Sequence, residues 1–538
     1  MPTSVATWQD LYNACSNPTT YAPDGIINVT ANIPYGTNSS VYINNSSGIN
    51  ISIQSSGGPF TLTSPTNASS GGNQTRHFTI GYPTAPGNPG FNNPNATVTF
   101  DNIILDGGTG ASSTAGTTPT PTSSPAASWG GGVLIACGTT TFSSGFTLQN
   151  CWTGYANIDN GGYGALCVHS YLYNNNQPPT IVNFSGTVQY NTNGSNNQQY
   201  QEAPGGVMIF QRNNNGTGTP VTQFNMTGGS ISYNSSFCGG GGVCLDTYAA
   251  CLNSNEVFNM SAGTISYNTA ATVGGGIMCG SQSDDNIMMN ISGGTISYNK
   301  ALGTGTYTMN NAFGQAENGN GGGIWLQDGT TTISGNVVIA NNTAANLGGG
   351  AYVSLGNSLC NSAVAAKMNV NGGDWYTNSA IQGAAIYYCS NGTLGNNLDV
   401  TSGNFHNHSS SGDGAVFAAN GAPIVLNATS LPSNLTPTES NYTLTPGTIS
   451  VFDNKATGNG GVVTISGTQG NNLVNTSFSA TNVLFYNNSA GGNGGVLYST
   501  SGPAFTGGTP PTVTNTLIGC ILDHNSAGGL GGAYYIGQ

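Results

Sequence analysis

Two carboxylates in the segment TVTFDNIILDGG (Thr97–Gly108), Asp101 and Asp106, are the residues whose type and spacing first suggest chemistry. Paired acids on strands can act as general acid and base at a glycosidic bond, or can bind calcium. Such sites ordinarily also need Arg or Lys to hold a uronate or to stabilise developing charge, and no basic residue lies nearby in sequence. Strand–Asp–Gly is also ordinary turn chemistry. Asp101 and Asp106 are therefore the catalytic candidates, with the turn reading preferred, and the chain is not expected to be an enzyme. In NFHNHSS, His406 and His408 fall on one side of a strand and could hold a metal. Neither has an acid or cysteine close by, so a polar outer face is expected instead, with no metal and no cofactor. Asp284 and Asp285 in SQSDDN read as a solvated loop tip with at most weak calcium binding. Cys167 and Cys389 follow apolar strands and read as core. Tyr376 and Tyr387 fit sugar stacking and core packing equally well. The chain contains no G-x-S-x-G elbow, P-loop or HExxH.

The scaffold that would position these residues is constrained by composition. A chain of 538 residues with 83 Gly and only 4% charged residues exceeds a single globular core and departs from ordinary globular usage, in which about 25% of residues are charged. Its 25 Tyr and 18 Phe leave much to bury, so it is expected to fold. Five bases (Arg76, Arg212, Lys300, Lys367, Lys455) against 18 acids give a net charge of −13, and the bases are scattered. Nucleic-acid binding and membrane insertion are not expected: phosphates need clustered Lys and Arg, and no apolar run approaches the length of a bilayer span. The start, MPTSVATWQDLYNACSN, lacks the basic and apolar regions of a signal peptide. Eleven Cys is an odd number without zinc spacing, leaving disulfides between turns and buried free thiols both open. Sequons at Asn28, Asn225, Asn427 and Asn441 permit glycosylation.

Self-similarity organises the rest. ISYNSSFCGGGGVCL starts at Ile231, ISYNTAATVGGGIMC at Ile265 and VIANNTAANLGGGAYV at Val338. FYNNSAGGNGGVLY starts at Phe485, and LDHNSAGGLGGAYYI leads to the final residues. Each unit has an alternating Thr/Ile/Val strand, an Asn, a small residue, a Gly pair and a second apolar strand. The Asn is expected at the bend, tolerating left-handed angles, its amide bonding turn backbone or a stacked Asn one repeat away. Strand, bend, strand and return loop make one coil, which buries its interior only against neighbouring coils. This argues for an all-β solenoid, a parallel β-helix rather than a sandwich or propeller.

The pairing of F/I-x-x-N with GG-[AVI]-[ILVY] resembles the repeats of chlamydial polymorphic membrane proteins and of adhesin-like β-helix proteins on bacterial and methanogen surfaces. The resemblance runs from about Asn102 and is clearest after Gly229. It implies a right-handed parallel β-helix in a surface-exposed, extracellular setting. Autotransported members of that family carry a C-terminal barrel, which is not seen here.

Thr7–Ala14 is expected to form a short capping helix, with Thr7 as N-cap and Asp10 completing an imperfect capping box. Residues 1–30 then form an N-terminal cap and first strand, and 31–538 the β-helix. Insertions fall at about 107–128, 303–320 and 432–446, where binding specificity would sit. The expected function is a non-enzymatic surface protein of adhesin type, at a cell or particle surface. Its partners would be host or neighbouring cell-surface glycans or proteins. A self-assembling subunit, pairing with copies of itself through an open C-terminal coil, is the second expectation, and a polysaccharide-active enzyme the third.

Overall fold

A computed structural model describes residues 2–537, apart from 35–39, 44–47, 64–75, 82–96, 108–131, 154–163, 173–178, 194–203, 214–220, 248–254, 281–285, 306–308, 311–315, 355–365, 390–396, 470–471, 474 and 502–510. Asp284, Asp285, Cys251, nearly all of the 107–128 insertion and parts of 303–320 lie outside the described residues.

The chain begins with a strand, Thr3–Val5, that the sequence did not announce. Helix α1 (Trp8–Ser16) follows, and Thr7 caps it as expected, accepting a hydrogen bond from the Asp10 N–H at 3.2 Å. Trp8, Leu11, Ala14 and Cys15 form its buried stripe, packed on Val41–Ile43, while Tyr12 is only half-buried. A second short helix, α2 (Pro18–Tyr21), extends the cap beyond the single helix expected; its first-turn proline needs no N–H there.

Everything else with regular structure is strand, and nearly all the pairing is parallel, which fits an all-β parallel solenoid. Two compact units emerge: residues 1–271 with 280–288, and residues 272–279 with 289–538. From Trp152 onward, among the described residues of each, the chain visits three kinds of strand in a fixed order. It runs along a long strand, crosses a tight corner into a two-residue strand, and passes a glycine-rich segment into a second strand before returning.

In the first unit, Val221–Ser232 pairs with Asn255–Ser266, placing Phe224 on Phe258 and Ile231 on Ile265. In the second unit, Thr330–Ala340 pairs with Lys367–Tyr376, and that strand with Leu398–His406. The two-residue strands, such as Thr343–Ala344, Ser379–Ala380 and Ser409–Ser410, add a third strand to the two evident in each sequence unit. The sequence showed only a small residue there because the second position of each strand is buried between coils.

The in-register pairing stacks like on like. In the first unit Phe142, Phe184, Phe224 and Phe258 are all fully buried, and successive ring centroids lie 5.6–6.1 Å apart. The glycines are explained by contact as well as by conformation. A Cβ on Gly350 would lie 2.6 Å from the Ala385 carbonyl oxygen. At Gly348, with φ +67°, it would lie 2.3 Å from the Ala351 oxygen.

Candidate functional site

The corner between long and two-residue strands is built the same way in coil after coil. One residue adopts left-handed backbone angles, and the next turns its side chain inward. In the first unit the left-handed residues include Asn150, Tyr190, Tyr233 and Tyr267; in the second they include Tyr298, Asn341, Thr377, Asn407, Asp453 and Asn487. The repeat's asparagine is therefore not itself the left-handed residue, as the sequence reading had it, but its successor. It performs the other expected role. Asn234 accepts from the N–H and the amide of Asn191 at 3.1 and 2.9 Å, and donates to Asn268 and to the Val188 carbonyl at 3.0 Å each. Asn299, Asn342 and Asn378 form the same ladder in the second unit, as do Asn454, Asn488 and Asn525.

His408 occupies one rung of that ladder, accepting from the Asn378 N–H at 3.2 Å through Nδ1 and donating its own N–H to Asn454 at 2.9 Å. It is fully buried; desolvation, with help from nearby His406, pushes its pKa down to about 3, so the ring is neutral. The expected alignment of His406 with His408 on one side of a strand is thus incorrect. Asn407 between them has φ +54°, which ends the strand's alternation, so His408 turns inward while His406 points to the outer side of the sheet; rings cover it there, and with both histidines only 1% exposed neither makes the polar outer face expected.

On that outer face His406 lies between aromatic rings. Tyr376, His406 and Phe452 are successive members of one column across the long strands, stacked at 5.2 and 4.7 Å. Tyr442 leans over His406 at 4.7 Å. It comes from the 428–448 insertion, which joins Ile424–Asn427 to Ile449–Phe452. The insertion is fastened at Asp374: the Tyr442 hydroxyl donates to Oδ2 at 2.5 Å, and His406 Nε2 lies 3.2 Å from Oδ1. Burial, then the Asp374 carboxylate, holds the Tyr442 phenol well above its ordinary pKa, keeping it a neutral donor. Glu439 of the same insertion is exposed and accepts from the Asn407 amide at 3.4 Å. The result is a surface cluster of two carboxylates, an amide and partly exposed tyrosines. His406 was legible as a candidate; Asp374, Glu439 and Tyr442 were missed because the fold, not the sequence, brings them to it.

The other candidates are dispersed. Asp101 accepts from the Ser143 hydroxyl, while Asp106 accepts from Gln149 at 2.9 Å and Asn150 at 3.1 Å. These are bonds to side chains of the next coil, and the two carboxylates accept from separate partners. Tyr387 is buried and stacked on Tyr352 at 5.6 Å, so of the two proposed sugar-stacking tyrosines only Tyr376 reaches the surface.

Glu317, inside the 303–320 insertion, is buried and accepts from Trp325 at 3.0 Å, Tyr352 at 2.8 Å and Ser354 at 2.7 Å, fastening that insertion as Asp374 fastens the other. Cys167 and Cys389 are buried as expected, and among the nine described cysteines there is no disulfide. Burial pushes Cys389 up to about 12 and Cys137 up to about 11, values that disfavour a reactive thiolate. Among the described residues no group of three or more His, Cys, Asp or Glu is placed to hold a metal. In comparisons with known proteins, no family model, no curated protein and no solved structure matches this chain.

Proposed function

We propose that the chain is a non-enzymatic, extracellular surface protein of adhesin type: a right-handed parallel β-helix whose coils carry loops of variable length to a host or neighbouring surface. The observation that supports this is where length varies. The corner carrying the asparagine ladder adds no residues from coil to coil. The return connections and the join within the long strands differ widely, as between Asn427 and Ile449 against Thr481 and Val483. A fixed frame with adjustable loops, at least two of them fastened by a dedicated carboxylate, suits recognition by loops.

The test is saturable binding of labelled chain to cells and to immobilised surface glycans and proteins. Shortening the 303–320 or 432–446 insertion is expected to abolish it. Unchanged binding by both variants, or no saturable binding at all, would overturn the reading.

A further inference from the structure

Three glycosylation sequons follow one another at seven-residue spacing along the 428–448 insertion and the strand end that leads into it. They are Asn427-Ala428-Thr429, Asn434-Leu435-Thr436 and Asn441-Tyr442-Thr443. A sequon can carry a glycan in the folded chain where the amide nitrogen of its asparagine lies outside and unengaged, because that nitrogen bonds the sugar. The structure separates the three on this criterion. Asn441 is exposed, and its Oδ1 accepts from the Thr438 N–H at 2.6 Å and from the Asn434 amide at 3.1 Å. Its side chain is thereby held while Nδ2 donates to no described residue. Tyr442, the middle residue of that sequon, is fastened to Asp374, so the insertion presents Asn441 from a fixed position. Asn427, the last residue of strand Ile424–Asn427, is exposed, and its side chain makes no hydrogen bond among the described residues. The third residues of both sequons, Thr429 and Thr443, are exposed as well. Asn434 differs. It is half-buried, its nitrogen donates to the Asn441 carbonyl and Oδ1, and its oxygen accepts from the Thr436 N–H at 3.1 Å.

Sequons on the coils are closed to the same chemistry. Asn183, Asn225 and Asn259 each open one, and they are in-register neighbours on adjacent strands. Their amides bond one another at 3.1 and 3.0 Å, and the middle residues Phe184, Met226 and Met260 are fully buried. Adjacent strands lie only about 4.8 Å apart, which leaves no room for a glycan on each. The contrast between coil and insertion is therefore one of accessible nitrogen, not of motif.

We propose that Asn427 and Asn441 are N-glycosylation sites, so that the insertion presents carbohydrate at its outer surface. The inference rests on the reading of the chain as extracellular, since the co-reactant is a lipid-linked sugar pyrophosphate used on the secretory route. Nδ2 attacks the anomeric carbon of that donor and forms the nitrogen–carbon bond. The carbon–oxygen bond to the pyrophosphate breaks, the pyrophosphate leaves with its electron pair, and one amide proton passes to a base of the transferase.

The test is peptide mass mapping of the full chain isolated from its own source, before and after peptide-N-glycosidase, which returns each modified asparagine as aspartate. Glycan mass is expected on Asn427 and Asn441, with Asn434, Asn183, Asn225 and Asn259 unmodified. Two variants made in the same cells check the assignment without changing the bonds that hold Asn441. Thr443→Val should lose the Asn441 glycan, and Thr443→Ser should keep it. An unmodified Asn427 or Asn441, equal occupancy of Asn434 or of the Asn225 column, or a glycan that survives Thr443→Val would overturn the proposal. Cell binding is measured alongside, with chain produced in a host that lacks the transferase as the unmodified form. If no glycan is found and the chain adheres, the inference fails while the adhesin reading stands. If both glycans are present and neither form adheres, the sites stand and the adhesin reading fails.

Discussion

Replacing His408 by asparagine should stabilise the protein, and more so in acid. At this rung the ladder is interrupted: Asn378 donates to a ring nitrogen, and His408 Nε2, held near the Trp375 carbonyl, has no well-formed hydrogen bond. Asparagine there would repeat the geometry of Asn454, which accepts at Oδ1 and donates from Nδ2 to both the Phe405 carbonyl and Asn488. One or two recovered buried hydrogen bonds contribute about 1–2 kcal/mol at neutral pH.

The acid part follows from linkage. His408 has a folded pKa of about 3 against 6.5 for the free side chain, so the unfolded chain binds the extra proton. Its penalty is absent above about pH 6.5 and grows as pH falls toward 3, by about 1.4 kcal/mol per pH unit, hence about 2 kcal/mol at pH 5. His408→Asn should therefore gain about 3–4 kcal/mol over the parent at pH 5. Coils of a solenoid open locally, so the assay is hydrogen exchange of peptides covering 375–420 at matched exchange rates, with denaturant midpoints at both pH values. An equal or smaller advantage in acid, or a net loss at neutral pH, would refute the reasoning.

Other consequences are as direct. Asn234→Ala removes both the acceptor for Asn191 and the donors to Val188 and Asn268; it should cost about 2–4 kcal/mol, read from the urea midpoint. Tyr442→Phe should detach the 428–448 insertion at a cost of about 1 kcal/mol, seen as faster limited proteolysis within 431–446 and little change elsewhere. Gly350→Ala sets a methyl group against the Ala385 carbonyl and should lower thermal stability by several kcal/mol, or prevent folding. Thr7→Ala removes the cap of α1 and should cost about 1 kcal/mol, measured by thermal melting.

How much of this was legible depends on whether a feature is local or periodic. The Thr7–Asp10 cap and the Asn stack could be anticipated because each is specified by nearby residues or by a repeat. The left-handed corner was assigned one residue late. Tyrosine at positive φ runs against intrinsic preference by about 1–2 kcal/mol, and face-to-face stacking of about that size offsets it. Tyr233 stacks on Tyr190 at 5.1 Å and on Tyr267 at 4.9 Å, a pairing visible only once coils are in register. His406 and His408 were misaligned for the same reason, since a strand's alternation fails at a left-handed residue. Asp374 and Tyr442 are 68 residues apart, and no spacing rule links an insertion to the coil it lands on.

The central claim is that the coils form a fixed frame and the insertions carry recognition. The most direct test replaces residues 428–448 by a single asparagine, copying the join at Asn482, where strands Thr476–Thr481 and Val483–Tyr486 pair in register with the strands flanking the insertion. Surface binding is then measured beside hydrogen exchange of the neighbouring coils. The expected result is native protection of those coils with binding lost. Retained binding, or collapse of the coils once the insertion is gone, would contradict the account.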